Sequence, residues 1–402
     1  MIRTTCVGWC AGILSTALVP VAWGEEVPDV WQYLGQRAAR LTEELPQVPD
    51  TREGWEKHRS ELTAGLSEQL GLPRREPMKA AVIRIQRQPD LAVEQVAYHW
   101  AERTYVSATV IRSRQTEGRQ AAVVMPSGWL GHHTFRPYRE FVRSLARSGV
   151  AVLFIDDPRT GRRQAPPAGL YAAGTATGTP VAGIQVFDAL RGLDYLLSRT
   201  DVDAGKIGIA GFGAGALQAY MAAALEPRFQ FVVAVEGTTT YNALVQQAVA
   251  GEGPQNPSAW AGGVLDSTDM DRIAACIAPR PVLVAGRYGN GQWASIGYTR
   301  VRQTLKSVYA LHDAEDRIRE LRDQSSGEMT PYGDQTIQWL QTSVLPSLPV
   351  VDSPVDVAGE PQDPQFSMLR FLQRKLAVPN RNVGDVSNNA GQVSNLSGED
   401  AI

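Results

Sequence analysis

The segment that most constrains the fold runs Lys206-Ile207-Gly208-Ile209-Ala210-Gly211-Phe212-Gly213-Ala214-Gly215-Ala216-Leu217. Lys206–Ala210 reads as an apolar strand, and the residues from Ala214 to Ala224 read as a helix. Three alternating glycines join them. A strand and a helix can turn back on each other this tightly only where side chains are missing at the contact. The chain therefore holds at least one strand–turn–helix unit with an unusually close crossing.

The rest of the chain extends this unit in both directions. Residues 28–70 carry Trp31, Leu34, Ala38 and Leu41 at helical spacing, with a second helix over about 53–70. Three strand-like runs follow, Ala80–Gln86, Ala92–Trp100 and Thr104–Ile111, with the partial alternation of antiparallel strands. From there strands and helices alternate. Strands fall at Ala121–Met125, Val150–Ile155, Lys206–Ala210, Phe231–Val235, Pro281–Ala285 and Ile318–Arg322. Helices fall at Phe135–Arg147, Val181–Ser198, Ala214–Ala224, Tyr241–Ala250, Ile296–His312 and Thr336–Val344. Continuous apolar strands between helices predict an α/β fold with a mostly parallel sheet, helices on both faces and antiparallel N-terminal strands.

The 402 residues, 43% hydrophobic and 20% charged, allow a sizeable core. The N-terminus reads as a leader: Arg3, an apolar stretch from Cys10 to Val21, and a small-x-small site at Ala22-Trp23-Gly24. Cleavage after Gly24 implies export to the periplasm or the extracellular space, with no membrane span in the mature chain; the stretch is short for a bilayer. The expected division is a leader over 1–24, a helical segment over 25–75, the α/β domain over 76–346 and a tail over 347–402. The tail is rich in Pro, Asp, Ser and Asn, with one amphipathic stretch at Phe366–Leu376. Cleavage would leave Cys276 as the one thiol, in apolar company that suits a buried structural role. A formal net charge of −3 gives no reason to expect a nucleic-acid partner.

The glycine turn matches the Gly-x-Ser-x-Gly pattern of a nucleophile elbow, except that Gly213 stands at the centre. From about Asp50 to Leu345 the chain resembles the secreted acetyl xylan esterase-like and dienelactone hydrolase-like branch of the α/β hydrolases. The resemblance is carried by Ile155-Asp156-Asp157-Pro158-Arg159-Thr160-Gly161, by Gln185-Val186-Phe187-Asp188-Ala189-Leu190-Arg191-Gly192-Leu193-Asp194, by the elbow, by Ala278-Pro279-Arg280-Pro281 and by Val308–Asp316. It implies a serine nucleophile at the elbow, a histidine base and an orienting acid. The chain departs from all three. Gly213 replaces the serine, Gly289 lies where the acid is expected, and Glu328 stands where the histidine is expected. Without a nucleophilic oxygen the resemblance implies a fold whose hydrolytic triad is lost.

A pocket remains as an expectation. Its backbone donors would be Ala214 and the loop Ser127-Gly128-Trp129-Leu130-Gly131-His132-His133, able to hold an anion or a carbonyl. Arg159, with Arg162 and Arg163, could meet a carboxylate such as a uronic acid, or be a solvated basic loop. Glu236, ending the strand after the elbow, is an alternative acid or a pocket residue. His132 and His133 lack the spaced partners of a metal set, so no metal and no cofactor are expected. His312 reads as a surface residue, and His58 and His99 as structural. The fitting ligand is a carbohydrate or a small acyl compound. An ester hydrolase of unusual mechanism stays open. So does a dinucleotide-binding oxidoreductase, because Gly211–Ala216 also fits Gly-x-Gly-x-x-Gly/Ala with Glu236 ending the next strand.

Overall fold

The computed structural model describes residues 29–101, 104–128, 136–158, 163, 167–251, 259–286, 295–322 and 330–348. The expected leader and the Phe366–Leu376 stretch lie outside the described residues. No described helix is long and apolar enough to cross a membrane.

Two helices come first. α1 (Val30–Glu44) starts on a capping box, in which Asp29 accepts from the Gln32 amide and the Gln32 side chain accepts from the Asp29 amide. α2 (Arg52–Gln69) is capped by Thr51 and buries Trp55, Leu62 and Leu66. The sheet is then built from β1 (Ala80–Arg87), β2 (Leu91–His99), β3 (Tyr105–Ser113), β4 (Gln120–Pro126), β5 (Val150–Ile155), β6 (Val202–Phe212), β7 (Val232–Val235), β8 (Val282–Gly286) and β9 (Ile318–Arg322). The helices between them are α3 (Arg136–Arg147), α4 (Pro167–Ala176), α5 (Val181–Leu197), α6 (Ala214–Leu225), α7 (Tyr241–Val249), α8 (Met270–Ala275), α9 (Ser295–Ala310) and α10 (Thr330–Trp339).

The nine strands lie in the order β1-β2-β3-β5-β4-β6-β7-β8-β9. Pairings from β1 to β5 through β3 are antiparallel, and all those from β5 to β9 are parallel. Within the apolar strands the pleat sorts side chains to two faces. Ala122 and Val124 of β4 join the core under α2, α5, α6, α8 and α9, while Ala121, Val123 and Met125 join the core under α3 and α10. This is the predicted layering. The strand order also fixes where a ligand crevice opens. The chain winds from β4 to β5 on one side, then crosses to β6 on the other. In open α/β sheets the crevice forms at the carboxyl ends of the strands where winding reverses, here the ends of β4 and β6.

Four local differences separate the structure from the sequence reading. β6 begins at Val202, because Val202 pairs with Gln120 before a register irregularity resumes at Ile207 opposite Ala122. α4 was not expected, its Gly169 and Gly174 weakening the helical signal. α8 has only six residues and is set by its cap. The Asp269 carboxylate accepts from the Met270 amide and from the Tyr241 amide at the start of α7, both at 2.6 Å. α10 starts earlier than predicted and widens into a π turn over Leu340–Val344. Cys276 is buried as expected, and burial pushes its thiol up to about 12.

The segment leading from α2 into the sheet is clamped to the end of α6. Arg75 donates to Glu226 at 2.7 Å, and Arg228 donates to both Glu226 oxygens at 2.8 and 2.7 Å. Burial alone would raise the Glu226 pKa, but the hydrogen bonds from Arg228 and Arg75 outweigh it and hold the carboxyl at about 2, below its ordinary 4.5. A depressed carboxyl pKa stabilises the fold above the unfolded-state value, and that stability is lost as pH falls from about 4.5 towards 2. Thermal unfolding followed from pH 6 to pH 2.5 should therefore show a steeper acid-side fall in Tm for the native chain than for Glu226→Gln. Parallel curves for the two proteins would remove Glu226 from the account.

Candidate active-site crevice

Three strand ends meet at the crevice. β6 stops at Phe212, and the Gly213 amide donates to Val235 O at 2.9 Å, tying the turn to the end of β7. Gly213 sits at φ 57° and ψ −120°, a region where a side chain is strained. α6 starts at the next residue, Ala214. A Cβ on Gly211 would fall 2.0 Å from Gly215 O, so strand and helix touch backbone to backbone. A Cβ on Gly128, just beyond β4, would lie 2.8 Å from the Gly215 amide, and one on Gly237, just beyond β7, would lie 2.1 Å from Gly213 O. Ser127-Gly128, Gly213-Ala214 and Glu236-Gly237 are thus one cluster.

Of the predicted site residues, the structure brings Gly213, Ala214 and Glu236 together. Ala214 is buried in the first turn of α6, whose start has no side-chain cap because Gly213 has no side chain. The uncapped N–H groups of a helix start carry partial positive charge and suit an anion or a polarised carbonyl. Glu236 is buried, its amide donates to Ala285 O at 2.7 Å, and its backbone is left-handed at φ 53°. A long side chain held there is strained, a feature that clusters at ligand sites. Trp129, Leu130, His132, Arg159, Gly289 and Glu328 lie outside the described residues.

Beneath the cluster runs a buried polar chain that the sequence reading did not pick out as a site. Gln218 of α6 donates to Gln185 Oε1 of α5 at 2.7 Å. The Gln185 amide nitrogen donates to Asp157 Oδ2 at 2.8 Å and to Gly128 O at 3.2 Å. The signal was present as Gln218 inside an otherwise almost wholly apolar α6 and as Gln185 in the apolar first half of α5. One turn further along α5, buried Asp188 pairs with Arg163. Burial pushes the Asp188 carboxyl up to about 6 even beside that guanidinium. Arg163 is therefore a half-buried partner of a buried carboxylate rather than a solvated residue.

The described histidines lie elsewhere. His99 ends β2 with its ring 3.6 Å from Glu76, and His58 packs on Trp55. His312, expected at the surface, has its side chain tucked in at 2% exposure, 3.5 Å from Glu56 of α2. Among the described residues, no group of three or more His, Cys, Asp or Glu side chains is placed to hold a metal.

A model of the dienelactone hydrolase family matches residues 106–254, the stretch from β3 through the elbow and Glu236 to α7. The chain has an α/β-hydrolase fold. It is 26% identical over 298 residues to YtaP of Bacillus subtilis (strain 168), whose hydrolase name is provisional, covering 70% of this chain and 99% of that one. Among solved structures it resembles the methylesterase BT1017 at TM-score 0.55 and 19% identity, covering 77% of this chain and 64% of that one, just under two thirds of its length. It also resembles a glucuronoyl esterase from Teredinibacter turnerae T7901 at TM-score 0.57 and 16% identity, covering 74% and 89%. An α/β-hydrolase sheet assigns the Gly211–Gly215 turn to the elbow after β6, rather than to the phosphate loop after the first strand of a dinucleotide fold.

The three elbow glycines should respond differently to substitution. Gly211→Ala drives a methyl into the Gly215 carbonyl and should cost more than about 3 kcal/mol, enough to leave little soluble protein. Gly213→Ser adds left-handed strain of about 1–2 kcal/mol. Urea unfolding of the two variants beside the native chain gives the ranking, and equal costs would contradict the assigned geometry.

Proposed function

We propose that this chain is a non-hydrolysing member of the α/β-hydrolase superfamily, exported to the periplasm or outside the cell, whose elbow crevice binds an acylated or uronic carbohydrate. The observation that carries the reading is Gly213 at the elbow. The turn keeps the backbone conformation in which the superfamily presents a nucleophile, but carries no oxygen or sulfur to attack a carbonyl. The described histidines pack against Glu76, Trp55 and Glu56 and do not supply a base at the turn. The helix start at Ala214 and the close approach of Gly128 support binding of a carbonyl or carboxylate. The esterase names carried by structural neighbours support an ester or a sugar acid as the ligand class. The apolar leader-like segment before Gly24 supports export. The reading needs no cofactor, metal or nucleic-acid partner.

A second reading, an ester hydrolase of unusual mechanism, rests on Glu236. Its left-handed backbone beside the elbow places a strained carboxylate where an acid would be useful.

Hydrolysis of p-nitrophenyl acetate and of acetylated xylan by the chain lacking residues 1–24 separates the two. The first reading predicts rates at the buffer blank for the native protein and for Glu236→Gln and Glu328→Ala, together with a rise in Tm in the presence of acetylated xylo-oligosaccharides. Clear turnover by the native chain, lost in either variant, would overturn it in favour of the second.

A further inference from the structure

The crevice has lost a side chain but kept an internal scaffold, and that scaffold points to a role for two residues. α5 faces the carboxyl ends of β4 and β5 with Gln185 and, one turn on, Asp188. All of Gln185, Gln218, Asp157 and Asp188 are at most 3% exposed. A polar side chain this deeply buried is destabilising unless its hydrogen-bonding groups are satisfied. The Gln185 amide nitrogen has two protons, and the two acceptors within reach are Gly128 O at 3.2 Å and Asp157 Oδ2 at 2.8 Å. Its oxygen accepts from Gln218 at 2.7 Å. Each arm ends on a different structural unit: the loop beyond β4, the end of β5 and the elbow helix α6. Three apolar side chains could fill the same volume without fixing any of these units relative to another.

The Gly128 arm matters most. Gly128 has φ +63°, and its α-carbon lies against the Gly215 amide in the first turn of α6. Sliding the Gly128 peptide by a few tenths of an ångström would change the width of the cleft between the β4 loop and the start of α6. The buried Gln185 donor at 3.2 Å ties the Gly128 carbonyl to α5, so the position of that peptide depends on where the Gln185 amide is held.

We infer that Gln185, held in turn by Gln218, is a positioning residue for the Ser127–Gly128 loop and keeps the carbonyl-binding cleft at the elbow preformed. The inference rests on the proposed binding role of the crevice for its purpose, but the positioning itself is independent of any ligand. Gln185 acts through Gly128, and the Gln218 arm sets the rotamer of Gln185. The polar chain thus couples the loop beyond β4 to the same helix whose first turn forms the opposite wall of the cleft.

The test is amide hydrogen exchange in the unliganded full chain, comparing native protein with Gln185→Leu, Gln185→Glu and Gln218→Leu. Gln185→Leu removes both arms. Gln185→Glu keeps the acceptor for Gln218, but loses both donor bonds and sets a second carboxylate beside Asp157. The expected result is at least tenfold faster exchange in residues 125–131 for both Gln185 variants, a smaller increase for Gln218→Leu, and unchanged exchange in β7 and β8. Acceleration spread evenly over the sheet, or unchanged exchange in residues 125–131, would overturn the inference, since a purely space-filling glutamine would lower global stability without a local effect. Should a Gln185 variant fail to fold, the Gln218→Leu comparison alone decides. A parallel thermal-shift titration with acetylated xylo-oligosaccharides keeps the two proposals apart. Loop acceleration with no ligand response in the native protein would retain the positioning role and remove the binding role. Ligand response without loop acceleration would do the reverse.

Discussion

The backbone-to-backbone contact between Gly211 and Gly215 is the constraint on which the crevice depends. Because a Cβ at Gly211 would penetrate the Gly215 carbonyl, the end of β6 can approach the start of α6 only when residue 211 lacks a side chain, while a Cβ at Gly215 would fall 2.9 Å from Pro126 O at the end of β4. That approach sets the sharpness of the turn. The sharpness places Gly213 in the left-handed region and sets the turn and the start of α6 against the residues that follow β4 and β7. The neighbouring strand ends have accommodated it with glycines of their own, Gly128 and Gly237, each lying against the turn. An elbow serine would tolerate left-handed strain for the sake of its hydroxyl. Glycine removes the strain and the hydroxyl together, while the surrounding close contacts persist.

Much of the fold could be read from the sequence, because buried parallel strands are continuous apolar runs separated by helices. Val150–Ile155 and Ile318–Arg322 have the predicted bounds. β6 could not be bounded correctly, since Asp203 and Lys206 interrupt its apolar pattern and its early pairing with Gln120 is a tertiary event. α4 was hidden by two glycines, and α8 by its length, which a cap from Asp269 makes possible. The pleat that divides Val123 from Val124 between two cores is likewise a property of the assembled sheet.

The site divides in the same way. Gly213, Ala214 and Glu236 were recognisable because the elbow is a local motif with fixed spacing. The polar chain through Gln218, Gln185 and Asp157 was not, because its members lie on α6, α5 and the end of β5 and meet only once the sheet has formed. Arg163 and His312 were misjudged for a related reason. A charged or basic residue in a loop or near a helix end looks solvated until its buried partner, Asp188, or its packing neighbour, Glu56, is in place. The polarity of these residues is visible in sequence, but their burial is decided by contacts distant along the chain.

The central claim is that an α/β-hydrolase elbow persists here in a chain without an activated nucleophile. Intact-mass spectrometry after incubation with an alkyl fluorophosphonate, which phosphonylates an activated serine, tests it most directly. The account predicts that the native chain keeps its unmodified mass under conditions that fully label a serine esterase run beside it. A stoichiometric adduct on the native chain, mapped to Ser127 or to any other hydroxyl, would contradict it by revealing a nucleophile activated outside the elbow.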